Sequence, residues 1–349
     1  MGLPQIIINF RTAGSSAVRR SARGQAVLLA EGEKAELYSF SEAEQAESAG
    51  LAEDCRRLLR LCFLGGPAKV LLYRYPKGEE TAALARCAPA AEGGWLCAPQ
   101  MDAQTVTAFV KSKRAEGRPL RAVVSSETGP NCAGIVNLTT QGITVLLEGK
   151  TESVDTADYC ARIAGILAGL SLRESATYYP LPEVTGFVSS QDEEADIAAG
   201  RLILDQGSEG ARIARAVTSL TTLSQTGDSA FQKIKIAEGV DLIRADIRSV
   251  FESEYVGKVL NDYDSKLLLV TAINSYFAGL EGSVLDTGRR NTAAVDFEAQ
   301  KHWLEGRGVD TAALSDTAIL SANTGSQVFL RANLRFADAM EDLTFEISM

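Results

Sequence analysis

Histidine, the residue that most often acts as a general base, is the scarcest candidate for chemistry in this chain. His302 is the single histidine among 349 residues, so any pairing of a serine or cysteine nucleophile with a histidine base would have to use it. It stands next to Trp303 and Lys301 in a stretch with helical periodicity. We interpret His302 as a surface or partly packed side chain, and we predict no catalytic residues.

The six cysteines are the second candidate set, because thiolates bind metals and form disulfides. No two of them have the short separation of a zinc knuckle, and most stand in apolar stretches such as RLCFL and WLCAP. We therefore predict buried thiols in a reducing compartment, with no metal and no cofactor. The residues concerned are Cys55, Cys62, Cys87, Cys97, Cys132 and Cys160.

A third candidate is the stretch EGKTE at 148–152, where Lys150 and Thr151 match the end of a phosphate-binding loop. That motif needs a glycine five residues before Gly149, and this chain has Thr144 there. Gly142 lies two places off. We interpret the stretch as the polar end of a β-hairpin and predict no nucleotide binding.

Charge and hydropathy exclude two further classes of function. The chain carries 35 basic and 45 acidic residues, a net charge of −10, and such a surface repels nucleic-acid phosphates and anionic lipids. No apolar run approaches 18 residues, and the only early apolar stretch, IIINF, is too short for a signal peptide. We predict no nucleic-acid partner, no direct membrane insertion and a start in the cytoplasm.

The elements that hold these residues alternate between strands and helices from residue 25 onward. QAVLLAE and AKVLLYRY read as strands, and LAEDCRRLLRLCFLGG and TADYCARIAGILAGL as helices. DAQTVTAFVKSKRAEG is a further helix, with Asp102 as its N-cap. Alternation of this kind favours an α/β layer with a largely parallel sheet.

The second half of the chain is more helical. Five apolar residues at steps of 4, 3, 4 and 3 predict one long amphipathic helix: Ile236, Val240, Ile243, Ile247 and Val250. DSKLLLVTAINSYFAGLEG and FEAQKHWLEGRG predict two more, and QVFLRANLRF a strand. The expected fold class is therefore a multidomain α/β and α+β chain. Its parts are an arm at 1–24, an α/β domain at 25–185, a helical/β domain at 186–336 and a strand arm at 337–349.

The two ends of the chain have matching patterns and opposite charges. Alternation in LTFEISM places Leu343, Phe345 and Ile347 on one face of a strand, and the apolar residues of the other end are Ile6, Ile7, Ile8 and Phe10. Residues 1–24 carry four arginines and no acid: Arg11, Arg19, Arg20 and Arg23. Residues 337–349 carry four acids and no base: Asp338, Glu341, Asp342 and Glu346.

This complementarity supports the hypothesis that the ends of different copies meet in one sheet, with charge fixing partner and direction. The alternative is that both ends pair within one chain as ordinary edge strands. A cytoplasmic α/β enzyme that handles nucleotides is the competing class of protein.

Several long stretches resemble contractile phage tail sheath proteins, of the short type found in Gram-positive phages, prophages and phage-tail-like particles. They include GLPQIIINFRTAGSSAVRRSARG, ADYCARIAGILAGLSLRESATYYPLPEVTG, KIKIAEGVDLIRADIRSVFESEYVGKVLNDYDSKLLLVTAINSYFAGLEG and TGSQVFLRANLRFADAMEDLTFEISM. The resemblance runs over the whole chain. It is most specific in the C-terminal half. A tail tube or baseplate protein, the other alternative, would lack the long α/β part.

The resemblance implies a structural subunit without catalytic residues that polymerises as stacked hexameric rings around an inner tube. The α/β domain would lie outside and the helical/β domain near the tube, while both arms add strands to sheets of neighbouring subunits. Contraction would drive the tube through a target cell envelope. The implied partners are further copies, the inner tail tube protein, and baseplate and tail terminator proteins. Assembly would take place in the bacterial host cytoplasm, before the subunit becomes part of a virion tail or a released particle.

Overall fold

The computed structural model describes residues 24–223 and 229–347. These residues divide into two compact units. The first, here called the α/β unit, comprises residues 24–223, 229–245 and 339–347; the second, the helical unit, comprises residues 246–338. The predicted N-terminal arm at 1–24 thus falls almost wholly outside the described residues.

The α/β unit contains twelve of the described strands. They are β1 (Gln25–Glu31), β2 (Glu36–Phe40), β3 (Lys69–Tyr75), β4 (Trp95–Cys97), β5 (Ala122–Val124), β6 (Ile135–Leu138), β7 (Ile143–Leu147), β8 (Lys150–Val154), β9 (Val184–Gly186), β10 (Arg201–Leu202), β11 (Leu204–Gly207) and β12 (Gly210–Ile213). Its helices are α1 (Glu44–Ser48), α2 (Glu53–Phe63), α3 (Glu80–Ala91), α4 (Ala103–Ala115), α5 (Thr156–Gly169), α6 (Glu193–Ala198) and the first part of α7 (Ile234–Val250).

Seven strands form the main sheet, in the order β10-β6-β5-β4-β1-β3-β2. All neighbours pair in parallel except β2, which runs antiparallel to β3 at one edge. The residues of β1 from Ala26 to Ala30 are all fully buried, because helices cover a parallel sheet on both faces. The predicted α/β layer with a largely parallel sheet is confirmed.

Glycine allows the helices α2 and α5 to approach each other closely on one face of this sheet. A Cβ atom on Gly165 of α5 would lie 1.9 Å from the carbonyl oxygen of Cys62 on α2. One on Gly169 would lie 2.1 Å from the carbonyl oxygen of Gly65. Backbone of α5 therefore packs directly on the end of α2, at a distance that a larger residue would not permit.

The helix α7 packs on the α/β unit through its N-terminal part, held by buried ion pairs. Arg114 donates two hydrogen bonds to the carboxylate of Asp241, at 2.7 and 3.0 Å. Glu238 accepts from the guanidinium of Arg121 and from the indole Nε1 of Trp95, the latter at 2.9 Å. Of the five apolar residues that we predicted to form one face of this helix, Ile236 and Ile243 are buried.

The helical unit starts at Asp246, inside α7, and contains α8 (Tyr263–Leu280), α9 (Phe297–Glu305) and α10 (Asp316–Ser321). Two antiparallel strands, β13 (Thr292–Val295) and β14 (Leu330–Asn333), form its sheet. Both helices predicted here are confirmed. Among the described residues, no helix is long and apolar enough to cross a bilayer.

The division into units falls at a different place from the boundary expected between 185 and 186. Residues 186–245 cluster with the α/β unit, because β10 extends the main sheet by pairing with β6. Nothing in the local pattern of RLILD distinguishes a strand of this sheet from a strand of another one. The assignment of outer and inner positions to the two halves stays a prediction.

Candidate assembly site at the C-terminal segment

The candidate catalytic and phosphate sites have ordinary structural roles. His302 is exposed on α9. Glu148 and Gly149 form the turn between β7 and β8, with φ angles of 49° and 78°, as two-residue hairpins require. The predicted hairpin is therefore confirmed. No group of three or more His, Cys, Asp or Glu side chains in the described part of the chain could hold a metal ion.

All six cysteines are buried and free of disulfides, which confirms the predicted burial. Removal from water disfavours the thiolate, and it raises the pKa of Cys62 to about 12 and that of Cys87 to about 11. Such thiols are unreactive near neutral pH, because the thiolate is the nucleophile.

The C-terminal segment carries the most exposed of the large apolar side chains described in the α/β unit. Residues 341–347 adopt no regular secondary structure. The exposed fractions of Leu343, Phe345 and Ile347 are 89%, 75% and 74%. Within the described residues, no strand pairs with this segment. The three side chains that we predicted to share one face of a strand are therefore exposed to solvent in the single chain.

One carboxylate fixes the start of this segment to the α/β unit. Glu341 Oε1 accepts hydrogen bonds from the hydroxyls of Ser175, at 2.7 Å, and Thr177, at 2.8 Å. Its Oε2 lies 3.4 Å from Nη2 of Arg215 and 3.6 Å from Nζ of Lys233. The side chain of Glu341 is only 7% exposed. We call these four partners of Glu341 the clamp.

Three separate stretches of the α/β unit position the clamp. Ser175 and Thr177 lie in the turns that follow α5, Arg215 follows β12, and Lys233 immediately precedes α7. The backbone N–H of Ala216 donates to Thr177 Oγ1 at 3.0 Å, which leaves the Thr177 hydroxyl proton for Glu341. The fold of the α/β unit therefore brings these four side chains together from distant parts of the chain.

The residue Asp342 adds an outer ion pair to the clamp. Its carboxylate lies 2.5 Å from Nη2 of Arg215, and this hydrogen bond, together with the charges of Asp342 and Glu341, raises the pKa of Arg215. The Asp342 side chain is 79% exposed. Solvent therefore screens this pair far more than the one that Glu341 makes.

The structure separates the predicted arm residues into three sets. Those of the N-terminal arm lie outside the described residues: Ile6, Ile7, Ile8, Phe10, Arg11, Arg19, Arg20 and Arg23. Glu341 and Asp342 pair with basic side chains of their own chain. Glu346 and Asp338 are both exposed, and Asp338 has a polar interaction of its own. Charge pairing between the two arms stays a prediction. This prediction now depends more on Glu346 than on Glu341 and Asp342.

The sequence comparisons agree on one kind of protein. The family described as Phage tail sheath C-terminal domain matches residues 226–349. The tail sheath protein of Clostridium phage phiCD119 is 30% identical over 363 aligned residues, which cover 100% of this chain and 99% of that protein. The likeness therefore includes the α/β unit as well as the matched C-terminal part.

Solved structures share the fold at low sequence identity. The sheath tail protein of Listeria innocua has a TM-score of 0.65 and 14% identity, covering 94% of this chain and 99% of that one. The helical sheath of the anti-feeding prophage in its contracted state has a TM-score of 0.67 and 13% identity, with 94% and 93% coverage. The fold is that of a contractile sheath subunit.

Sheath proteins are a structural family and not an enzyme family. The chain belongs to the family of phage tail sheath proteins of contractile injection systems. It is a component of a phage tail or of a phage-tail-like particle. The competing class of a nucleotide-handling enzyme finds no support.

Proposed function

We propose that this chain polymerises with copies of itself as stacked hexameric rings around an inner tube, and that its contraction drives the tube through a target cell envelope. The inner tube, baseplate and tail terminator proteins are the proposed partners. Assembly takes place in the host cytoplasm, before the sheath becomes part of a tail or a released particle. Similar folds come from a contracted helical sheath and from a sheath complex of an extracellular contractile injection system.

The observation that carries the proposal is the exposed alternation of Leu343, Phe345 and Ile347 directly after a buried anchor. Burying three such side chains contributes about 1.5–3 kcal/mol each, and strand hydrogen bonds add about 1 kcal/mol each. Ordering five residues costs about 1–2 kcal/mol per residue. Association itself costs several kcal/mol more in lost translational and rotational freedom. One donated strand is then close to break-even, and it becomes strong only when a lattice repeats it.

The edge of β14 is the proposed acceptor in a neighbouring copy. Arg331 is exposed on this strand, whereas Arg335, which follows the strand, pairs with Asp286 at 2.9 Å. Arg331 therefore gives this edge the basic charge that suits the acidic C-terminal arm. The β2 edge of the main sheet, in contrast, begins at Glu36 and follows Glu31 and Glu33, whose charges would repel that arm. Between these two edges, charge favours the sheet of the helical unit.

Two point variants of the arm test the proposal. Phe345→Ser removes an apolar side chain from the face that is to be buried, and Thr344→Ser changes its neighbour on the other face. Each is co-expressed with its tube partner, and striated cylinders are counted by negative-stain microscopy. We expect at least a tenfold loss of cylinders for Phe345→Ser and none for Thr344→Ser. Native cylinder yield from Phe345→Ser, or from a chain that lacks 343–349, would show that the arm does not drive assembly.

A further inference from the structure

The sheet formed by β13 and β14 has two chemically different edges. Beside β13 lies Asn274 of α8, whose side-chain amide makes two hydrogen bonds to the backbone of Ala293. Its Oδ1 accepts from the Ala293 N–H at 2.6 Å, and its Nδ2 donates to the Ala293 carbonyl at 3.1 Å. A paired strand would satisfy these two backbone groups in the same way. The amide thus occupies the position of a third strand.

The register of the sheet shows what the other edge presents. Ala293 stands opposite Ala332, and residues directly opposite each other in an antiparallel pair either exchange both backbone hydrogen bonds or exchange none. Because the groups of Ala293 point to Asn274, those of Ala332 point away from β13. Ala332 is exposed, and no third strand joins this sheet among the described residues. The β14 edge is therefore available for strand pairing.

We propose that Asn274 closes the β13 edge, so that strands from other copies join this sheet only at β14. The inference rests on the proposed function, in which the arms are donated strands. If both arms enter one sheet, they must then lie in series, with the second arm paired to the first and not to β13. Asn274 is the positioning residue that fixes this order.

The charges of the two arms predict which arm pairs with β14 and which arm pairs with the first arm. Arg331 makes β14 a basic neighbour, which favours the C-terminal arm with Glu346 in the inner place. The N-terminal arm carries four arginines and no acid in residues 1–24, so it suits the outer place beside the acidic arm. The expected order is β13, β14, C-terminal arm, N-terminal arm. Such a contact is directional, as an open helical lattice requires.

A helical reconstruction of the native sheath tests the order directly. The expected result is two strands of other copies beyond β14, with the side chain of Asn274 still bound to Ala293. A foreign strand between β13 and α8 would overturn the edge assignment while leaving strand donation intact. Failure of the intact chain to form cylinders with its tube would overturn the proposed function itself.

A matched pair of variants on α8 supplies a second measurement. Asn274→Ala opens the β13 edge, whereas Thr271→Ala changes an exposed residue one turn earlier. In Asn274→Ala we expect amide exchange at Ala293 to accelerate at least tenfold in the free subunit, with irregular oligomers at concentrations where Thr271→Ala is monomeric. Exchange at Ala293 and an oligomeric state that both match those of Thr271→Ala would contradict the closing role of Asn274.

Discussion

The carboxylate of Glu341 lies 2.7 Å from the hydroxyl of Ser175, although 166 positions separate the two residues in the chain. This contact fixes where the C-terminal arm leaves the α/β unit. It also means that part of the acidic C-terminus serves its own subunit. The arm accordingly has a rigid base and a free apolar end.

Removal of the Glu341 carboxylate is expected to weaken assembly without unfolding the subunit. Glu341→Ala loses hydrogen bonds to a charged group that contribute about 1.5–3 kcal/mol each, and a loss of 1.4 kcal/mol raises the concentration needed for assembly about tenfold. Sedimentation of sheaths over a concentration series measures this. Asp342→Asn is the control, since an exposed pair contributes about 0–1 kcal/mol. Equal behaviour of the two variants would contradict the role of the clamp.

Loss of Asp241 is expected to destabilise the α/β unit strongly. The Asp241 side chain is 2% exposed, and Asp241→Ala leaves the guanidinium of Arg114 without its carboxylate, at a cost of about 3–5 kcal/mol. Chemical denaturation followed by the fluorescence of buried Trp95, in a Trp303→Phe background, reports this unit. The double variant Arg114→Met with Asp241→Leu should recover most of the loss. Glu116→Ala, at an exposed ion pair, should cost no more than about 1 kcal/mol.

The buried carboxylate of Glu183 predicts a loss of stability in acid. Burial alone would raise its pKa, but hydrogen bonds from Arg162 and Tyr159 and the charge of Arg162 outweigh burial, so the pKa lies below its ordinary value. A pKa that is lower in the folded state than in the unfolded state stabilises the fold. This stabilisation is fully present above the unfolded pKa of about 4.3, and it is lost as the pH falls through the folded pKa.

Denaturation midpoints measured between pH 7 and pH 3 test this expectation. Glu183→Gln should cost about 3–5 kcal/mol at pH 7 and should lose less further stability on acidification than the native chain. Glu148→Gln changes an exposed carboxylate and should follow the native curve. A Glu183→Gln curve that runs parallel to the native one would assign the acid sensitivity to other groups.

Two glycine-to-alanine changes are expected to have opposite effects on stability, because only one of the two glycines lies in a close contact between helices. Gly165→Ala places a methyl group on the carbonyl of Cys62, so the helices must separate, at a cost of about 1–3 kcal/mol. In Gly279→Ala, on α8, the added methyl group has no atom within 4 Å beyond its own helix turn, and the change should stabilise the helix by up to about 1 kcal/mol. Unfolding monitored separately for the two units by Trp95 and Trp303 measures both changes.

The sequence predicted those features that depend on neighbouring residues. Asp102 caps α4, with its carboxylate accepting from the N–H of Thr105 at 2.9 Å, because an N-cap acts within three positions. The strand β1 was visible as a continuous apolar run, since a buried parallel strand has no polar face. The alternation of apolar and polar residues at the end of the chain identified Leu343 and Phe345 as members of one strand face, because a period of two can be read from neighbouring residues alone.

The clamp could not be predicted, because its members are ordinary residue types spread over the chain. Nothing in ESATY marks Ser175 and Thr177 as ligands of a carboxylate, and Arg215 lies 126 positions from Glu341. Charge counting grouped Glu341 with Glu346 as partners for the N-terminal arginines. The fold separates them, since among the described residues Glu341 reaches basic residues of its own unit and Glu346 does not. Which acid pairs with which base therefore depends on the tertiary structure.

The short distance between Glu341 and Leu343 has a mechanical consequence. Two residues span at most about 7 Å when extended, so a strand that starts at Leu343 has almost no slack behind it. A pull on Phe345 or Ile347 would therefore load the hydrogen bonds of Ser175 and Thr177 directly, without first straightening a linker. In a lattice that shortens, this stiff joint would transmit force from one subunit into the α/β unit of the next, until the hydrogen bonds of Glu341 break and the chain before it straightens.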